Sequence, residues 1–140
     1  MTNVNQLQIQ IVTHLKTLTR ELARLAVRQS ALIRCRQSVL AEKTVDISDE
    51  EEEMFADILA NIEAIEYDLI TFKDQLQARL THAERGLHLV SLYAAEKNSS
   101  LLYQHVLDGV LLCVSDAATA RAGYDELIEN LKEMSQLRDV

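Results

Sequence analysis

Between residues 55 and 76 an apolar side chain recurs at every third or fourth position without a miss: Phe55, Ile58, Ile62, Ile65, Leu69, Phe72 and Leu76. The mean step of about 3.5 residues keeps one stripe on one side of an α-helix. A stripe this long cannot face water throughout, so the segment demands a partner helix. Beyond Leu76 the pattern continues through Leu80, Ala83, Leu87 and Val90. The two successive steps of four, Phe72 to Leu76 to Leu80, relax a heptad supercoil toward a straighter helix. Gly86 falls in this stretch, where it marks either close packing or a bend.

Both ends of the chain repeat the same grammar. The N-terminal seam reads Ile11, Leu15, Leu18, Leu22, Leu25, Gln29, Leu32, Arg36 and Val39. Its two polar members are of the kind that fix register and partner choice at some cost in stability; alternatively, the seam leaves the core at those points. The C-terminal seam reads Val106, Val110, Cys113, Ala117, Ala120, Tyr124, Leu127, Leu131 and Met134, with small residues in its middle that permit close approach. Turn signals are scarce: there is no proline, and glycine occurs only at 86, 109 and 123. A sheet protein of this length needs many tight turns built on those residues. The expected fold class is therefore all-α, an elongated antiparallel bundle of three helices, or four, with coiled-coil-like packing.

Breaks are expected at two places. Ser48 followed by Glu51 has the spacing of a capping box, so a helix should begin near Asp49 after a break over residues 44–48. The carboxylates Asp49 to Glu53 then fall where the helix dipole favours negative charge. The polar cluster Glu96 to Ser100 is read as a turn or kink, the alternative being a polar patch on one continuous helix. A single helical domain over residues 1–140 results, with helices at about 5–42, 49–97 and 100–137. The middle helix would be the longest, leaving apolar stripe uncovered at one end unless a second copy or a partner helix covers it.

Charge is strongly asymmetric. Residues 1–43 carry seven basic and two acidic groups, whereas residues 46–74 carry eleven acidic groups and only Lys73, within a net charge of −8. The basic stripe Lys16, Arg20, Arg24 and Arg28 has the spacing of one slowly drifting helix face. Phosphates of nucleic acid would suit such a face, but base-stacking aromatics are few and the acidic segment 46–74 is a nearer counterpart, so internal charge pairing is expected. No apolar run approaches the roughly 20 residues needed to cross a bilayer. Met1 to Gln10 lacks the pattern of a secretion signal, so a cytoplasmic location is expected.

Candidate chemistry is thin. The residues three before His14, His82, His88 and His105 are Ile11, Arg79, Arg85 and Leu102. None gives the Glu-x-x-His spacing of helical di-metal sites, and His88 and His105 are expected at the edges of apolar faces. Cys113 occupies a seam position that suits an inert buried thiol. Cys35 lies between Arg34 and Arg36, where positive charge favours thiolate, but no base or orienting group accompanies it. No catalytic residue, metal site or cofactor is assigned.

Around Asn98-Ser99-Ser100-Leu101-Leu102 the chain resembles the flagellar export-chaperone family typified by FlgN. Its members often carry an asparagine shortly before a Leu-Leu pair that opens an amphipathic helix. Tyr124-Asp125 is similar to a Tyr-Asp pair that often follows the family's last long helix, although the glycine that usually comes soon afterwards is missing here. The resemblance implies a non-catalytic chaperone that holds an amphipathic helix of a secretion substrate. By that analogy Leu101, Leu102, Val106 and Val110 would contact the partner.

The resulting expectation is a non-catalytic cytoplasmic helical-bundle protein that binds an amphipathic helix of a partner protein, as an export chaperone or adaptor, in a homo-dimer or hetero-oligomer. The alternatives are a structural coiled-coil oligomer or tether, and an acidic inhibitor or DNA mimic binding a basic partner.

Overall fold

The computed structural model describes residues 4–42, 48–92 and 99–136. Among them every residue except Ser48 is helical, and there is no strand. Three helices pack against one another: α1 (Val4–Glu42), α2 (Asp49–Leu92) and α3 (Ser99–Gln136). The expected break at 44–47, the continuation of the middle helix over 93–97, the polar residues 96–98 and the last expected helical residue, 137, lie outside the described residues.

Ser48 opens α2 as its spacing requires. The Glu51 amide donates to Ser48 Oγ at 3.2 Å, and the Glu52 amide donates to the Ser48 carbonyl at 2.9 Å. Two amides that lack a partner within the helix are thereby satisfied. Asp49 to Glu52 form the acidic first turn. α2 and α3 are separate helices. Ser91 and Tyr103 are within 3.5 Å of each other through their hydroxyls, whereas twelve residues of one continuous helix would place them about 18 Å apart.

The chain divides into two compact units. Unit 1 comprises Met1–Arg24 and Asp74–Ala120. Its core takes Ile11 and Leu18 from α1, Leu76 and Leu80 from α2, and Tyr103 and Val110 from α3, all buried. Tyr103 has no exposed surface, so its hydroxyl must find partners inside. Gln8 Nε2 donates to Tyr103 Oη at 2.7 Å, Tyr103 Oη donates to Ser91 Oγ at 3.5 Å, and Ser91 Oγ donates to the Leu87 carbonyl at 2.8 Å. One relay of neutral donors therefore touches all three helices.

Unit 2 comprises Leu25–Lys73 and Arg121–Val140. Its core takes Leu25 and Leu32 from α1, Phe55, Ile62 and Leu69 from α2, and Ile128 from α3. The two polar seam residues both find partners on α2. Lys73 Nζ donates to Gln29 Oε1 at 2.7 Å, and Arg36 donates to Glu66 Oε2 at 2.7 Å. Glu66 is itself buried. Gln29 and Arg36 thus tie α1 to α2 at two levels, which is the register-fixing use of a polar seam residue.

The α2 stripe is covered by its own chain. Phe55, Ile58, Ile62, Leu69 and Leu76 are at most 4% exposed, and Ile65 and Phe72 are half-buried. Leu80 and Val90 are buried beyond them, with Ala83 and Leu87 half-buried. The uncovered overhang expected at one end of this stripe is not present over these positions. Over the described residues α2 has 44 residues against 39 and 38 in α1 and α3. The α3 seam also differs from its reading at two positions. Leu107 and Ile128 are buried, whereas Val106 is half-buried and Leu127 is 40% exposed.

Candidate functional site

Within unit 1, α2 and α3 separate enough to leave an open, largely apolar groove of about 310 Å³. From α2 it is lined by Arg79, His82, Ala83 and Gly86; from α3 the lining includes His105, Val106, Gly109 and Cys113. The two glycines create much of the space. A methyl group at Gly86 would lie 3.6 Å from Val106 Cγ2, and one at Gly109 would meet nothing within 4 Å. At one edge, both terminal nitrogens of Arg79 donate to Asp116 Oδ2, at 3.3 and 3.2 Å.

Exposed leucines stand on both of the helices that build the groove. Leu89 and Leu92 on α2 are 48% and 66% exposed, and Leu101, Leu102 and Leu112 on α3 are 68%, 46% and 58% exposed. The pairs Arg79–Asp116 and Ser91–Tyr103 fix how the two helices run past each other. Leu112 lines the groove itself.

The four residues suggested by the family resemblance fall into different settings. Leu101 and Leu102 stand exposed, Val106 is half-buried in the groove wall, and Val110 is fully buried in the core of unit 1. Val110 is thus a core residue that also belongs to the groove's lining. The groove itself was not legible from the sequence, because Gly86 and Gly109 meet only through the pairing of two helices.

Two members of the basic stripe have described partners on α1 and α3. Arg24 pairs with Glu21 of its own helix at 3.0 Å. Arg28 makes a two-pronged bond to α3, from Nε to Asp125 Oδ1 at 2.6 Å and from NH2 to Oδ2 at 3.1 Å. Lys16 and Arg20 are exposed, and among the described residues no ion pair is drawn to either. Arg36 of α1 makes an ion pair with the acidic segment, to Glu66 at 2.7 Å. Asp125 also faces Arg121 at 4.0 Å. The hydrogen bond from Arg28, aided by both positive charges, lowers the Asp125 pKa from its ordinary 3.8. Burial, and secondarily the charge of Asp68, raise the Tyr124 pKa above 10.0.

Cys113 is buried, as its seam position requires, and Cys35 is half-buried; both are free thiols. His82, His88 and His105 are exposed. Among the described residues no three His, Cys, Asp or Glu side chains gather in a metal-binding cluster, and no helix is long and apolar enough to cross a membrane. Comparison of the chain with protein-family models, with curated proteins and with solved structures gives no match.

Proposed function

We propose that this chain is a non-catalytic cytoplasmic binding protein whose unit 1 receives an amphipathic helix of a partner protein, in the manner of an export chaperone or adaptor. The observation that carries this reading is the α2–α3 groove, lined in part by Leu112, with Leu89, Leu92, Leu101 and Leu102 exposed on the same two helices. An amphipathic helix recognised in a groove presents one apolar ridge, with anchors at spacings of three and four. A furrow between two helices that also carry protruding leucines suits such a ridge better than it suits an enclosed small molecule.

The finer architecture belongs to the same proposal. Antiparallel packing of α1 and α2 in unit 2 is supported by the pairs Gln29–Lys73 and Arg36–Glu66, whose numbers rise on one helix as they fall on the other. Antiparallel packing of α2 and α3 in unit 1 is supported in the same way by Arg79–Asp116 and Ser91–Tyr103. The 3.5-residue mean step of the α2 stripe supports coiled-coil-like contact.

The test is a binding titration with a synthetic peptide of about five helical turns bearing a leucine ridge. The natural chain should bind it, and the double variant L101E/L102E, whose altered side chains are exposed, should bind it at least tenfold more weakly with unchanged helicity by circular dichroism. Absence of binding to the natural chain, or equal binding by the variant, counts against the reading. Light scattering on the free protein separates it from a coiled-coil oligomer or tether, which would already be associated in the absence of peptide.

A second reading is favoured by one observation. All five carboxylates from Asp49 to Glu53 are exposed, as an acidic inhibitor or nucleic-acid mimic would require. Such a protein would bind a basic partner with an affinity that falls steeply as salt is added.

A further inference from the structure

The groove's charged lining departs from the chain that builds it. The chain has 22 acidic residues and 14 Lys and Arg, yet among the described residues no carboxylate lines the groove, and the bases that line it are Arg79, His82 and His105. Asp116, on the facing helix, is engaged by Arg79. A guanidinium carries five N–H donors, and this bond draws on only NH1 and NH2, both toward one oxygen. Arg79 retains 40% of its side-chain exposure. A half-exposed guanidinium beside an apolar furrow is suited to a carboxylate on an incoming ligand, because its planar fork can present two donors to both carboxylate oxygens. His82 and His105 are exposed on the facing helices and add donors along the groove.

We propose that the helix accepted by unit 1 carries carboxylates flanking its leucine ridge, with Arg79 as the anchoring cation and His82 and His105 as secondary contacts. This inference rests on the helix-binding reading above and adds the chemistry of the partner. The occupant is an acidic amphipathic helix rather than the basic one that the chain's net charge alone would attract. Local donors decide the bound pose, whereas net charge acts over distances that salt screens.

The experiment compares three peptides of identical leucine ridge, flanked by Glu, by Gln or by Lys, titrated against the full chain at low and at high salt. The Glu-flanked peptide should bind about tenfold tighter than the Lys-flanked one at low salt, a difference of about 1.4 kcal/mol. The difference should shrink as salt rises. The variant H82E/H105E alters two exposed side chains and leaves Arg79–Asp116 in place. It should reverse the order of the Glu and Lys peptides, with unchanged circular dichroism and thermal midpoint. Equal binding of all three peptides, or preference of the natural chain for the Lys flank, overturns the charge inference while leaving helix capture standing. If none of the three binds, helix capture and the charge inference both fall.

Discussion

Units 1 and 2 use segments of the same three helices but fasten them with different chemistry. In unit 1 the cross-helix tie is neutral: the buried Tyr103 hydroxyl accepts from Gln8 and donates to Ser91. An ion pair between helices there, Arg79–Asp116, is substantially exposed on both sides. In unit 2 the ties are charged: Arg36 to Glu66, Lys73 to Gln29, and the two-pronged Arg28 to Asp125. The surfaces differ as well. Unit 1 has the glycine-lined groove and most of the prominent exposed leucines, whereas the α2 stripe residues of unit 2 are buried or half-buried. Charged ties discriminate strongly between registers because a slip strands a charge. Neutral ties and apolar contacts tolerate adjustment at lower cost. A unit that must admit a partner is better served by the second kind.

The largest expected effects come from matched core deletions. Leu18→Ala in unit 1 and Leu69→Ala in unit 2 remove side chains with no exposed surface and should each cost about 2–5 kcal/mol. Native-state hydrogen exchange is the informative measurement. Loss of protection confined to the altered unit would establish two cooperative regions, and uniform loss would abolish the contrast.

Next come the ties. Glu66→Ala should cost about 1–3 kcal/mol, since it leaves Arg36 without its interhelical acceptor. Tyr103→Phe should cost about 1 kcal/mol. Urea titrations at low and high salt should show the first penalty shrinking with salt and the second unchanged. Equal salt response would erase the distinction between charged and neutral fastening.

Acid titration is a gentler probe. The folded Asp125 pKa is depressed, so its stabilising contribution is present above its ordinary value of 3.8 and is lost as pH falls below that through the folded value. Asp125→Asn should therefore remove part of the acid sensitivity below pH 3.8. Tyr124 behaves oppositely. Its raised pKa means that its contribution is complete below 10.0 and declines as pH rises beyond that. Thermal melts across both ranges, comparing the natural chain with Asp125→Asn and Tyr124→Phe, read the two effects. An acid limb unchanged by Asp125→Asn would remove Asp125 from the set of charged ties.

The smallest effect is a gain. Gly86→Ala and Gly109→Ala each replace a helical glycine where a methyl group meets only ordinary contact or open space, so each should stabilise by up to about 1 kcal/mol. A gain in melting temperature with weakened peptide binding would identify groove volume, rather than helix propensity, as what these glycines serve.

Much of α2 was readable because the stripe from Phe55 to Leu76 recurs at steps of three and four without a gap, even though Leu59 and Ile70 adjoin Ile58 and Leu69. α3 was harder. Val106-Leu107, Val110-Leu111-Leu112 and Leu127-Ile128 offer several adjacent stripes of equal quality, and only the facing helices decide that Leu107 and Ile128 go inward. Periodicity cannot arbitrate between neighbours of equal hydrophobicity. The buried glutamates escaped notice although their spacing was a signal. Glu66 sits four after Ile62 and three before Leu69, and Glu21 sits three after Leu18 and four before Leu25. Gln29 and Arg36 were visible as polar seam positions, but their partners Lys73 and Glu66 depend on the offset between two helices. The groove was least legible, being made by glycines that no local pattern relates.

The exposed leucines of unit 1 also bear on how the free protein behaves in concentrated solution. Apolar contact draws copies together at short range, while a net charge of −8 drives them apart over a distance set by ionic strength, about 10 Å at 0.1 M salt. Colloidal stability then depends on the acidic residues, many of them far along the chain from the leucines they safeguard. Added electrolyte weakens the repulsion without weakening the attraction, so turbidity should appear first in brine and recede on dilution into dilute buffer.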